Sequence, residues 1–384
     1  PYTLFVIRRQ VPDYPGNRIY LIDNLGDVAG GVCFSFVLVI WLTPLTALLA
    51  AGIPLLAAAM GLPQGILSSH QAPPLRYATL EEAPLPLSGN GADGTTLAGT
   101  LSAPQNIPGK RPAVLLLPGP FAADRDHPDQ ALPRSPLTLH LAHHLASEGF
   151  VSLRFDPRGK GQSQGDASKL TLAQLQADAK AALTTLASET KVDPTQVYLL
   201  TNGWGGLLAG ELLAGGPGLT PIKGYIALAP VLTKVEDALV YTRTEHLAAA
   251  GFSSNFMKQQ RDSVRQRIAE IRAGTYAEPL YAGIPKALAA ELLDVDVLPQ
   301  LTAFAGPVLL LRGDQDLEGD PVQLTAASDA AATASKLNVT AKTLKGLTFH
   351  LSQGSRADLW ESAVLPLELG PTAVAELEAW LAVN

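Results

Sequence analysis

The 384 residues contain a single cysteine, Cys33, so no disulfide can form within the chain and redox chemistry says nothing about its compartment. Charge is also scarce. Only 16% of residues are Asp, Glu, Lys or Arg, against roughly 25% in an average soluble domain. Part of that deficit is local, because no such residue lies between Asp27 and Arg76. The formal net charge is −7 and no basic stripe is visible, so nucleic-acid binding has no support. Repeats and low-complexity tracts are absent apart from an Ala/Leu bias. The chain opens on Pro1 rather than Met, which reads as a processed or truncated product.

Apolar residues make up 47% of the sequence, enough at this length to bury the core of one large domain beside an appendage. The organisation expected is an N-terminal segment 1–27, a hydrophobic segment 28–62, a Pro/Gly/Ser-rich linker 63–84 and a globular domain 85–384. About 20 apolar residues span a bilayer, and the run from Val28 to Leu62 exceeds that. Pro44 and Pro54 would kink it, which membrane helices tolerate. A signal anchor is the first reading. A secretory signal with small residues near Ala57-Ala58-Ala59 is the second, and a buried helical hairpin the third. Arg8, Arg9 and Arg18 before the run would leave the large domain extracytoplasmic, although Asp13, Asp23 and Asp27 offset them. If the run were cleaved, the product would be secreted.

From residue 95 onward the rhythm alternates. Thr95–Pro104, Pro112–Gly119, Val151–Asp156, Val197–Leu200, Gly224–Pro230, Pro307–Gly313 and Asn338–Gly346 read as strands. Helices are expected at Leu137–Gly149, after the capping box Thr171-x-x-Gln174, at Ser253–Arg272, around Val322–Ser335 and after Pro371. Continuous apolar strands alternating with helices predict an α/β fold with a mostly parallel, doubly wound sheet. The alternation pauses over 231–302, where a helical lid insertion is expected.

The informative stretch is QVYLLTNGWGGLLAGELLA, Gln196 to Ala214: a buried strand, a tight turn and a helix opening on small residues. That is the layout of a nucleophile elbow, G-x-S-x-G. Aligned on its trailing glycines it reads Thr201-Asn202-Gly203-Trp204-Gly205, so Gly203 stands at a vacated nucleophile position. Downstream come an acid candidate, Asp316, on the loop leaving a buried strand, and a base candidate, His350, just past the last strand. Asp314 and Glu318 are rival acids on the same loop. The order nucleophile, acid, base is that of a hydrolase triad, in which His takes the nucleophile's proton and Asp holds the imidazole.

Residues from about 84 to 384 resemble the bacterial α/β-hydrolases of the esterase-like and dienelactone-hydrolase-like kind. The blocks that carry the likeness are GADGTTLAGTLSAP, PAVLLLPGPFAADRD, LAHHLASEGFVSLRFDPRGKGQSQGD, VYLLTNGWGGLLAG and PVLLLRGDQD with LTFHLSQ. The resemblance implies carboxylester or related acyl hydrolysis by a serine triad, with no cofactor and no metal. It implies a small hydrophobic or ester-like ligand, and it does not cover residues 1–75. Two departures fall on the chemistry. Gly203 replaces the serine, and Pro118-Gly119-Pro120 stands where His-Gly is usual in an oxyanion loop. Gly119, Pro120 and Trp204 are the oxyanion positions, and proline brings no N–H to the hole.

A literal G-x-S-x-G does occur at Gly161–Gly165, but Ser163 lies in a loop several residues past its strand, and an elbow needs strand, serine and helix in direct succession. His140 and His144, four apart on one helix, lack an acidic partner in the spacing, so a helix face is expected rather than a metal site. Asp124-Arg125-Asp126 reads as loop ion pairing. Lys258, Arg261, Arg265, Arg267 and Arg272 read as a solvated helix face, or as one meeting an anionic surface or a partner. Three functions remain open: a catalytically impaired pseudo-hydrolase binding a ligand or protein partner; an active carboxylesterase-like hydrolase in which His350 and Asp316 activate water or an unrecognised nucleophile; and a membrane-tethered structural subunit.

Overall fold

A computed structural model describes residues 80–88, 94–127, 136–320, 322–333, 338–354 and 369–384. The expected segments 1–27 and 28–62, and most of the linker, lie outside the described residues. Among the described residues no helix is long and apolar enough to cross a membrane.

The linker ends earlier than expected, because its last residues are already sheet. Strand β1, Leu80–Ser88, pairs antiparallel with β2, Thr96–Pro104, over nine register positions from Leu80↔Pro104 to Ser88↔Thr96. Its sequence hides this. Pro84 and Pro86 remove two N–H donors, which only an edge strand can do without. Being two residues apart, both prolines turn the same way, so the missing donors share one side of the strand.

The remaining strands fall close to the expected ranges, except that β5 begins before the expected Val197: β3 Arg111–Leu117, β4 Val151–Phe155, β5 Val192–Asn202, β6 Gly224–Leu228, β7 Val308–Gly313 and β8 Val339–Leu344. They form one eight-stranded sheet in the order β1-β2-β4-β3-β5-β6-β7-β8. Only the β1–β2 and β2–β4 pairings are antiparallel; from β4 to β8 every neighbour is parallel. The apolar runs now have their cause. In β3, Ala113, Leu115 and Leu117 enter the core on one face of the sheet, and Val114 and Leu116 enter that on the other.

The second of those cores is closed by helix α1, Leu137–Ser147, and by the last helix, Pro371–Leu381. The first holds α2, Leu172–Ser188, whose capping box is formed in both directions: Gln174 N donates to Thr171 Oγ1 at 3.2 Å and Thr171 N to Gln174 Oε1 at 3.1 Å. Beyond the elbow lies α3, Gly210–Ala214. Between β6 and β7 come four helices, α4 Val235–Ala249, α5 Ser254–Arg272, α6 Lys286–Leu292 and α7 Val297–Ala303, together with a two-residue hairpin. In α5, Val264, Ile268 and Ile271 are buried as their spacing requires, while Lys258, Arg265 and Arg267 are exposed. Helices α8, Val322–Thr333, and α9, Pro371–Leu381, complete the chain.

Candidate active site

Strand β5 runs to Asn202 and passes without a break into a 3₁₀ turn, Gly203–Leu208, and then α3. Gly203 has φ +49°, the left-handed conformation that a sharp strand-to-helix turn imposes on its apex and that side chains other than glycine adopt reluctantly. The residues before it cannot act in its place. Thr201 is buried with its Oγ1 2.8 Å from the Tyr225 hydroxyl, and burial pushes the Tyr225 phenol up to about 12. Asn202 is buried and donates from Nδ2 to Leu228 O at 3.4 Å. The turn is that of an elbow, and its apex carries no side chain.

The space above the apex is filled. A Cβ on Gly203 would stand 2.5 Å from Phe349 Cζ and 2.7 Å from its Cε2. Phe349 sits on a tight loop after β8. Thr348 N donates to Ser352 O at 3.0 Å, the two side-chain hydroxyls lie 3.0 Å apart, and Leu347 bridges to Gln353. His350 follows directly, its ring edge-on to Phe349 with centroids 5.1 Å apart. The sequence pointed to His350 and missed Phe349, because nothing in the residue types says which of two neighbours faces the turn.

The three carboxylates on the loop after β7, Asp314, Asp316 and Glu318, differ in their surroundings. Asp314 Oδ1 accepts from Gly346 N at 2.7 Å, and Gln315 N donates to Leu347 O at 2.9 Å, so Asp314 ties the acid loop to the Phe349 loop. Glu318 Oε1 lies 2.7 Å from His246 Nε2 on α4, a contact that raises the His246 pKa. Asp316 alone is fully buried, with Oδ1 accepting from Glu318 N at 2.7 Å and Oδ2 lying 3.2 Å from Arg312 Nε. Burial lifts its carboxyl to about 6 against the opposing pull of Arg312 and, more weakly, of His350. The fold therefore brings Asp316 and His350 within electrostatic reach. Arg312 went unremarked as a partner, although a cation inside the apolar run PVLLLRG was a visible signal; its guanidinium also donates to the carbonyls of Asp320 and Pro230.

The loop after β3 lies against the elbow. A Cβ on Gly119 would come within 2.9 Å of Gly205 N and 3.1 Å of the Trp204 carbonyl carbon, so only glycine allows the approach. Phe121 packs edge-on to Trp204 at 5.4 Å, and Ala122 N donates to Gly119 O at 3.1 Å. Lys160 Nζ donates to Ala122 O at 2.7 Å and reaches Pro120 O at 3.4 Å; burial lowers its pKa to about 8. Gly119 thus stands against Trp204 and Gly205 of the turn, with Pro120 next to it on the same loop.

The literal motif around Ser163 is structural. Ser163 Oγ donates to Asp156 O at 2.7 Å and accepts from Ala98 N at 2.9 Å. Asp156 is gripped by Arg125 through N, Nε and Nη2 at 2.8, 3.0 and 2.7 Å and by Gln162 N at 2.7 Å. Asp126 pairs with Arg154 at 2.6 Å, so the Asp124–Asp126 block holds its loop by ion pairing, as expected. His144, expected to lack an acidic partner, has one in the fold. Glu378 Oε1 on α9 lies 3.3 Å from its Nε2, brought there by tertiary packing that helix spacing cannot reveal.

This sheet, with its strand-to-helix turn at Gly203 and the loops of Asp316 and His350 at the same edge, has the architecture of an α/β hydrolase. The particular family follows from the sequence: residues 134–351, more than half of the chain, match the family described as serine aminopeptidase, S33, and the chain belongs to it. That match ends one residue beyond His350. No curated protein matches the sequence. Among solved structures, DcsB in complex with its substrate analogue is similar with a TM-score of 0.52 at 17% identity, over 79% of this chain and 99% of that one. An esterase from Pyrococcus furiosus has a TM-score of 0.52 at 15% identity, over 82% of this chain and 94% of that one. At such identities the likeness is one of fold.

Proposed function

We propose that this member of the α/β-hydrolase fold has lost covalent acyl hydrolysis and serves to bind an ester-like or small hydrophobic ligand or a protein partner. The observation that carries the reading is the Phe349 ring over Gly203, which takes the volume a nucleophile's side chain needs. Removing the serine of a serine hydrolase costs about 10⁶ in turnover, and here the vacancy is also filled. In this reading Gly203 is the vacated nucleophile position, and Asp316 and His350 are the retained acid and base. Gly119, Pro120 and Trp204 are what is left of the oxyanion region. The helical segment 231–302 would act as a lid. Attachment to a membrane through residues 28–62, with the hydrolase domain extracytoplasmic, belongs to the same proposal and is supported by the uncharged run alone; cleavage of that run would make the protein secreted.

The test uses the full chain with a fluorophosphonate probe and short p-nitrophenyl esters. Wild type is expected to stay unlabelled, Gly203→Ser to label poorly because Phe349 obstructs the hydroxyl, and Gly203→Ser with Phe349→Ala to label strongly. Wild-type ester turnover that His350→Ala abolishes would overturn the proposal and favour direct activation of water by His350 and Asp316.

A further inference from the structure

His144 has one acid at helix spacing, Glu148, and the fold brings it a second, Glu378. His144 Nε2 and carboxylate oxygens of Glu148 and Glu378 all lie within 4.8 Å of one another. Glu148 follows the end of α1, four residues after His144, and Glu378 comes from α9, more than 200 residues away. Two carboxylates this close repel each other unless a cation lies between them. Among the described residues, no lysine or arginine pairs with either one.

His144 is the second, independent sign. The residue is 8% exposed, and its Nε2 is buried without a hydrogen bond although it faces this cluster. A buried ring nitrogen without a donor or acceptor is costly unless something else uses its lone pair. The contact it does have, 3.3 Å to Glu378 Oε1, is poor as a hydrogen bond yet suits a shared metal. A tetrahedron with bonds of about 2.0–2.1 Å to nitrogen and oxygen has edges of about 3.3 Å.

From this geometry we infer that His144, Glu148 and Glu378 form a binding site for a divalent transition-metal ion of the zinc class, with water as the remaining ligand. One imidazole and two carboxylates suit such an ion. The role is structural. The site lies beyond the C-terminal end of α1, where the chain turns into the start of β4, whereas the elbow stands at the opposite ends of the parallel strands. The ion clamps α9 to α1 over the core that both helices cover, and it takes no part in acyl chemistry.

The test is Zn²⁺ titration of the full 384-residue chain, stripped with a chelator and dialysed, followed calorimetrically and by thermal unfolding. One saturable equivalent is expected, with Tm rising by about 5 °C at a free Zn²⁺ concentration 100 times the dissociation constant. Glu378→Gln, isosteric and half exposed, should weaken binding by about 100-fold, since even outer-shell partners of a metal are worth 10–100-fold. His144→Ala should do the same, while His143→Ala, its helix neighbour, should bind as wild type. Absence of saturable uptake would overturn the site and leave a simple His144–Glu378 ion pair. Uptake unchanged in both His144→Ala and Glu378→Gln would overturn it equally, by placing the zinc elsewhere. Circular dichroism of each variant separates lost binding from lost fold.

Discussion

A nucleophilic hydroxyl must give its proton to a base, and the Ser163 proton is held instead by the Asp156 carbonyl while one lone pair accepts from Ala98 N. These two hydrogen bonds stitch the glycine-rich loop to β2 and to the end of β4, so Ser163→Ala should lose about 1–2 kcal/mol of stability, measured by urea unfolding. The same variant should leave probe labelling of the Gly203→Ser, Phe349→Ala protein intact, which Ser163 could not permit if it were the nucleophile. At Gly203 the conformation itself resists a side chain. Gly203→Ala adds a left-handed residue, costing about 1–2 kcal/mol, and sets a methyl against Phe349, so urea unfolding should report a loss on the order of 2 kcal/mol or more. The glycine at position 203 was plain in the residue order. The aromatic ring packed against it could be known only from how the loop at Thr348–Ser352 folds. Asp316 stood out by its place after a buried strand, whereas the contacts that occupy Asp314 and Glu318, with Gly346 and His246, lie 32 and 72 residues away in the chain and could not be read from it.

Among the elements, those with a strong local pattern were the legible ones. The Thr171–Gln174 box announced α2, and Thr171→Ala should cost about 1 kcal/mol in the same unfolding measurement. Helix α5 was expected at Ser253–Arg272 and forms over Ser254–Arg272, with Ser253 as its N-cap. Strand β1 was not legible, because two prolines in nine residues argue against any strand whose edge position is unknown. The loop DPRGKGQSQGD was recognised as a loop, yet its purpose is visible only in the fold. Arg158 turns back to make two contacts with Asp178 of α2, at 2.6 and 2.9 Å, with both side chains buried. Removing one partner strands a buried charge, so Asp178→Ala should cost about 3–5 kcal/mol and lower the Tm accordingly.

For the molecule as a whole, Asp316 makes stability depend on pH in the direction opposite to most carboxylates. Its carboxyl titrates at about 6 in the folded chain against 3.8 ordinarily, because burial favours the neutral acid. The folded state therefore holds the extra proton between these values. The stabilisation is complete below about pH 4 and is lost as pH rises through 6. A shift of this size corresponds to on the order of 2–3 kcal/mol. Asp316→Asn can still accept from Glu318 N, so the difference in unfolding free energy between wild type and variant should shift toward the variant from pH 4 to 7. A flat difference would show that Asp316 is already ionised across that range.

The placement of α9 bears on when the sheet can finish folding. Its Ala373, Leu377, Trp380 and Leu381 belong to the core that includes Val114, Leu116 and Leu200, so strands made early in synthesis wait for the last described helix before that face is dry. Until then a nascent chain exposes apolar sheet on one side only. That side is where a chaperone would bind and where premature association would begin. Trp380, packed edge-on to Tyr198 at 6.1 Å, would report the moment of closure by its fluorescence.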